Sequence, residues 1–231
     1  MKKIMVAIPS WEWKLDPRIH AFLDNIKKEW EFELDVRLSK RMLVNRARNY
    51  MIDEALAKDY DYIWFMDDDN IPENADTLKI LVDMDVDIAT GIYTTRVGEK
   101  ELILYRKTGW KPRYERIKKL PEALWPIQEV DWTGGWCLLV KMGAIRKLVS
   151  QFDIHLFEDK LTYFIDWEEY LFDKPITEKD LLFVEKCSMS WDITFCDRAK
   201  RLGYKIWVNL RCPLLHLWEP EVRFVDDSFY S

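Results

Sequence analysis

Predominantly apolar runs of strand length recur along this chain. They are "KIMVAI" at residues 3 to 8, "YIWFM" at 62 to 66 and "VDIATGIY" at 86 to 93, with stretches of helical period between them. Strands buried on both faces read as continuous apolar runs, and parallel strands need a crossover, usually helical, to connect them. The alternation therefore predicts an α/β fold with a mixed, mostly parallel central sheet flanked by helices.

The intervening segments fit that rhythm. An amphipathic stretch from Pro17 to Glu29 precedes "FELDVRL", which alternates like a strand. "LVNRARNYMIDEALAKDYD" is helical by its period and ends at Asp59 to Asp61, and "ADTLKILVDM" is helical again. Beyond Thr95 the rhythm changes. "ELILYRK" is a strand candidate, and the charged segment from Lys107 to Pro126 reads as a long excursion. "EVDWTGGWCLLVKMGAIRKLV" reads as strand, Gly-Gly turn, strand and helix. "SWDITFCDRAKRLGYKIWVNL" reads as a capped helix running into a last strand. No Gly/Ser-rich linker divides the chain, so residues 1–231 are expected to form one domain of two halves that meet near residue 98.

Size and charge narrow the partners. A chain of 231 residues with 48% hydrophobic content buries a full core without staples. Its formal charge is −6, with acidic and basic residues interspersed, so the basic stripe that neutralises nucleic-acid phosphates is missing and nucleic acid is not an expected partner. Cys137, Cys187, Cys196 and Cys212 lack zinc-ligand spacing and read as reduced, buried thiols of a cytoplasmic protein. The opening "MKKIMVAIPSW" is too short an apolar run for a signal peptide or a membrane span, which leaves only a peripheral membrane contact open.

The chemistry concentrates where "YIWFM" runs directly into Asp67, Asp68 and Asp69. Ligands of open α/β sheets collect beyond the carboxyl ends of the strands, which is where these residues fall. Three adjacent carboxylates repel one another, and a hard divalent cation is the economical counter-charge. The alternative is a solvated turn in which Asp68 or Asp69 caps a helix starting near Pro72. A P-loop and a Gly-x-Gly-x-x-Gly turn are both absent from the sequence, so a metal would take the place of a backbone phosphate cradle. On the preceding helix Arg48 shares a face with Met51, Ile52 and Ala55, where a guanidinium needs an anion, either a diphosphate or one of the aspartates. Arg46 lies with Asn49 and Asp53 on a more easily solvated face.

These features together resemble the nucleotide-sugar glycosyltransferases of the GT-A fold, in particular the family 2-like enzymes. The resemblance rests on strand-Asp-x-Asp preceded by "NRARN", on the opening "VAIPSW", and on "DITFCDRAKRLGYKIWV". It runs from residue 4 to about 216 and is weakest between 100 and 128.

The resemblance implies a metal-dependent transferase of the hexosyltransferase class, using Mn²⁺ or Mg²⁺ and taking a nucleoside-diphosphate sugar as donor. Residues to about 98 would form the nucleotide-binding half, and residues from 99 the acceptor-binding half. Asp67 and Asp69 would serve metal and diphosphate, with Asp68 open because the triple run permits a shifted register. His216 in "CPLLHLW" would complete the metal shell, or it is a hydrogen-bonded core histidine. Pro9, Ser10, Arg46, Arg48 and Arg96 would meet the donor. Asp192 would be the general base of an inverting reaction, or a first-turn residue favourable to the helix dipole. Trp191 stands where the family commonly has an acidic residue, and Asp166, Glu168 and Glu169 are substitute carboxylates.

Trp132, Gly134, Gly135, Trp136 and Trp191 are candidates for holding a saccharide, glycoprotein or glycolipid acceptor, since sugar CH faces pack on aromatic rings. Gly134 and Gly135 equally suit a hairpin turn. Two rivals stand beside this reading: a nucleotidyltransferase on a related sheet, and a non-catalytic carbohydrate-binding protein.

Overall fold

The computed structural model describes residues 1–10, 14–29, 32–40, 44–95, 101–108, 113–118, 126–152 and 191–217. The apolar run at the start forms β1 (Lys2–Ser10), which pairs in parallel with β2 (Phe32–Lys40) on one side and β3 (Tyr62–Met66) on the other. β10 (Cys137–Lys141) runs antiparallel between β3 and β5 (Ile88–Ile92), and β5 pairs in parallel with β11 (Ile206–His216). The far end of the sheet is completed by β4 (Asn70–Pro72) and β8 (Ile127–Val130), both antiparallel to β11. The expected α/β architecture, a mixed and mostly parallel sheet flanked by helices, is the one observed.

Side chains of β1 alternate between the two faces of this sheet, as the period of a strand requires. Met5 and Ala7 face α2 (Val44–Leu56), α4 (Met142–Phe152) and α5 (Trp191–Arg201), in a core with Met51, Ile145 and Cys196. Ile4, Val6 and Ile8 face α1 (Pro17–Glu29) and α3 (Thr77–Asp83), in a core with Ile19, Trp64 and Leu78. Asp16 caps α1, its Oδ1 accepting from the Arg18 amide at 2.8 Å, and Pro17 takes the first helical position. α5 closes with a Schellman turn: Tyr204 N donates to Ala199 O at 3.0 Å, Gly203 N donates to Lys200 O at 2.9 Å, and Gly203 has φ 84°.

Two expectations need correction. The segment after Lys107 is not a bare excursion, because Arg113–Arg116 forms β7 against β6 (Leu104–Thr108), with Arg116 stacked on Tyr105. Nor do Gly134 and Gly135 make a hairpin turn. The strand before them, β9 (Trp132–Thr133), joins β6 in this small sheet, whereas β10 after them joins the main sheet. The two glycines carry the chain from one sheet to the other.

Candidate functional site

The site begins where β3 stops. Tyr62 through Met66 are enclosed between the helical layers, and the three carboxylates come next, at the carboxyl end of the strand. No helix starts near Pro72: Asn70–Pro72 is β4, and α3 begins only at Thr77, after Asp76, which makes no side-chain cap bond. The reading of Asp68 or Asp69 as a helix cap is therefore overturned.

β11 brings the second half of the chain to this edge. Its register slips between Val208 and Pro213, where Arg211 N donates to Asn209 Oδ1 at 3.0 Å. Past this irregularity it pairs with β4 and sets His216 opposite Asn70. Leu217 N donates to Asp69 O at 2.8 Å, and Asn70 Nδ2 donates to Asp69 Oδ1 at 2.6 Å. The other carboxylate oxygen, Asp69 Oδ2, lies 3.6 Å from His216 Nε2. Both side chains are buried. Two ligands each about 2.1 Å from one cation stand about 3 to 4 Å apart, so this pair matches an oxygen-plus-imidazole donor set. Among the described residues, no three His, Cys, Asp or Glu side chains close around a single point. The pair is therefore two candidate donors and not a three-residue cluster.

Asp67 turns elsewhere. Arg48 Nη2 donates to Asp67 Oδ1 at 2.5 Å, and Arg48 Nη1 lies 3.7 Å from Asp192 Oδ1. The guanidinium sits over the Phe65 ring at 5.9 Å. Arg48 thus lies against two aspartates. Burial, opposed by Arg48 and reinforced by Asp69, pushes the Asp67 carboxyl up to about 6. Asp192 lies in the first turn of α5 and is buried. Cys196 Sγ on the same helix donates to Thr133 O at 3.8 Å, tying α5 to the small sheet.

Pro9 and Ser10 end β1 at the same edge, where Ser10 N donates to Ser39 Oγ at 3.3 Å. Asp68 is half-buried between the other two aspartates. Trp136 packs on Tyr93 with ring centroids 4.0 Å apart, and the Tyr93 ring lies 6.2 Å from that of His216. A Cβ on Gly134 would fall on the atoms of the Trp136 ring, so glycine is what lets the indole lie there. Gly135 is buried beside it. Trp132 is instead enclosed in the small sheet, 4.1 Å from Tyr105. Arg96, His155, Asp166, Glu168, Glu169 and Cys187 lie outside the described residues, as do the side chains of Arg46 and Trp191. His20 is exposed on α1.

Sequence reasoning missed Tyr93, Asn70 and Ser39. Tyr93 ends the "VDIATGIY" run and Asn70 comes directly after the aspartates, so their positions past strand ends were the available signal.

No family model and no curated protein matches the sequence. Among solved structures, the chain is similar to A197 from STIV, with 18% identity over 94% of this chain and 85% of that one, at a TM-score of 0.54. Mannose-1-phosphate geranyltransferase from Thermus thermophilus aligns over 93% of this chain and 76% of its own, with 11% identity and a TM-score of 0.45. 4-diphosphocytidyl-2C-methyl-D-erythritolsynthase from Anaerococcus prevotii aligns over 82% and 97%, with 9% identity and a TM-score of 0.32. The first likeness supports the fold, and the other two are too loose to add to it. No described helix is long and apolar enough to cross a membrane.

Proposed function

We propose that this chain is a divalent-metal-dependent glycosyltransferase that moves a sugar from a nucleoside-diphosphate sugar to a hydroxyl acceptor with inversion. The observation that carries the reading is the pairing of Asp69 with His216, 3.6 Å apart beyond the carboxyl end of β3. The resemblance of the strand-Asp-x-Asp and "FCDRAKRLGY" segments to family 2-like enzymes supports it.

Asp69 and His216 would hold Mn²⁺ or Mg²⁺, with Asp67 and Asp68 adding negative charge beside them. The bound cation supplies Lewis-acid stabilisation of the departing diphosphate. Asp192 takes the proton of the acceptor hydroxyl, whose oxygen bonds to the anomeric carbon as the bond from that carbon to the diphosphate breaks. Ser10 and Ser39, at the ends of β1 and β2, line the donor side. Trp136, on Tyr93, lines the acceptor side. Three free cysteines among the described residues, Cys137, Cys196 and Cys212, are buried, which suits a reducing, cytoplasmic setting.

The test is to incubate the full chain with UDP-, GDP-, CDP- and dTDP-sugars, with and without Mn²⁺, and follow both products. Mn²⁺-dependent release of nucleoside diphosphate with a glycosylated product supports the proposal. Pyrophosphate release from a nucleoside triphosphate and a sugar phosphate would make it a nucleotidyltransferase. Nucleotide-sugar binding without turnover would make it a binding protein.

A further inference from the structure

Arg48 is buried on α2 with 4% of its side chain exposed, an unfavourable place for a guanidinium unless anions meet it. The anions arrive from two remote parts of the chain. One nitrogen of the fork reaches Asp67 at the end of β3 at 2.5 Å, and a second faces Asp192 in the first turn of α5 at 3.7 Å. The Phe65 ring, two residues before Asp67, lies 5.9 Å from the guanidinium carbon. A planar fork fixes the relative directions of its nitrogens, which an ammonium on a flexible stem does not.

We infer that Arg48 is a positioning residue that ties the Asp192 carboxylate to the Asp67 end of the diphosphate site, rather than a ligand of the donor. The inference rests on the proposed transfer reaction. The Arg48 fork already meets two carboxylates, Asp67 at 2.5 Å and Asp192 at 3.7 Å, which is the pairing the inference rests on. Loss of the fork frees α5's first turn relative to β3, and a displacement of about 1 Å at a reacting group costs on the order of 100-fold in rate. The effect falls on the chemical step and leaves donor affinity in place, since the pairing of β4 with β11 is what sets Asp69 beside His216.

The experiment measures two quantities on the full chain, wild type, Arg48→Lys and Arg48→Met. Calorimetry with UDP, GDP, CDP and dTDP in saturating Mn²⁺ gives nucleotide affinity, and transfer from the sugar of the base that binds gives kcat. The expected result is a kcat loss of about 100-fold in Arg48→Met, with partial rescue by Arg48→Lys and nucleotide affinity within about threefold of wild type. A purely structural role would lower Tm without that separation of kcat from affinity. If Arg48→Met does not fold, Arg48→Lys carries the same comparison. A tenfold or greater loss of nucleotide affinity in either variant, with kcat retained, overturns the inference and makes Arg48 a donor ligand. Wild-type protein that neither binds nucleotide with Mn²⁺ nor transfers sugar strikes the proposed function itself, and the inference falls with it.

Discussion

His216 Nε2 stands 3.6 Å from Asp69 Oδ2, although the two residues come from β11 and from the loop after β3. The register slip in β11 is what joins them. A strand shifted by one residue turns every side chain to the other face, so the irregularity between Val208 and Pro213 decides where His216 points. Asn209 stabilises the slip by accepting the Arg211 amide.

The Asp192→Asn variant keeps the shape of the side chain and removes its basicity. Its kcat for transfer should fall by about 100-fold or more, with Mn²⁺-dependent nucleotide affinity unchanged. Steady-state kinetics beside calorimetry check this, and retained turnover would return Asp192 to a helix-dipole role.

Asp67 gives a pH dependence whose sign is fixed. Burial raises its carboxyl to about 6, above the ordinary value of 3.8. Between those values the folded chain holds the proton more tightly than the unfolded chain, so this group's contribution to stability falls as pH rises through the window. A divalent cation nearby favours the ionised form and competes with that proton. Below pH 6, Mn²⁺ affinity should therefore weaken by up to about tenfold per unit. Titrations at pH 5, 6 and 7 test it, and a flat affinity would uncouple Asp67 from the metal.

Gly134→Ala places a methyl group on the atoms of the Trp136 ring before any movement. Overpacking of this kind costs about 1–3 kcal/mol. Urea unfolding should show that loss together with a changed tryptophan emission, and full stability would mean that the indole moves aside freely.

Gly203→Ala probes the end of α5. With φ at 84°, the residue is in left-handed backbone, and a Cβ there costs about 1–2 kcal/mol. A chain of this size should lose about 2–4 °C of Tm per kcal/mol. Unchanged melting would show that the helix end re-forms without the Schellman turn.

The sheet was legible in the sequence because continuous apolar runs such as "YIWFM" can satisfy few environments other than a strand covered on both faces. The position of the aspartates came with it, since ligand sites of open α/β sheets lie beyond strand ends. The strand just past Asp69 was not legible: "NIP" is three residues long, and its pairing with β11 depends on residues far along the chain. The Gly134–Gly135 segment misled for a related reason. Two short apolar runs around a glycine pair look like a hairpin locally, and only the tertiary partners of β9 and β10 separate them into two sheets. The expectation that Arg48 needs an anion came from its helix face, whereas the two aspartates that meet it come together only where β3 and α5 do.

Asp69 and His216 are proposed to hold a divalent cation for a nucleoside diphosphate. The most direct test of this is calorimetry of UDP, GDP, CDP and dTDP against wild type, Asp69→Ala and His216→Ala, each with and without Mn²⁺. Tight binding of at least one nucleotide is expected only when Mn²⁺ is present, abolished in Asp69→Ala and weakened about tenfold or more in His216→Ala. Nucleotide binding that is indifferent to Mn²⁺ and to both substitutions would contradict it.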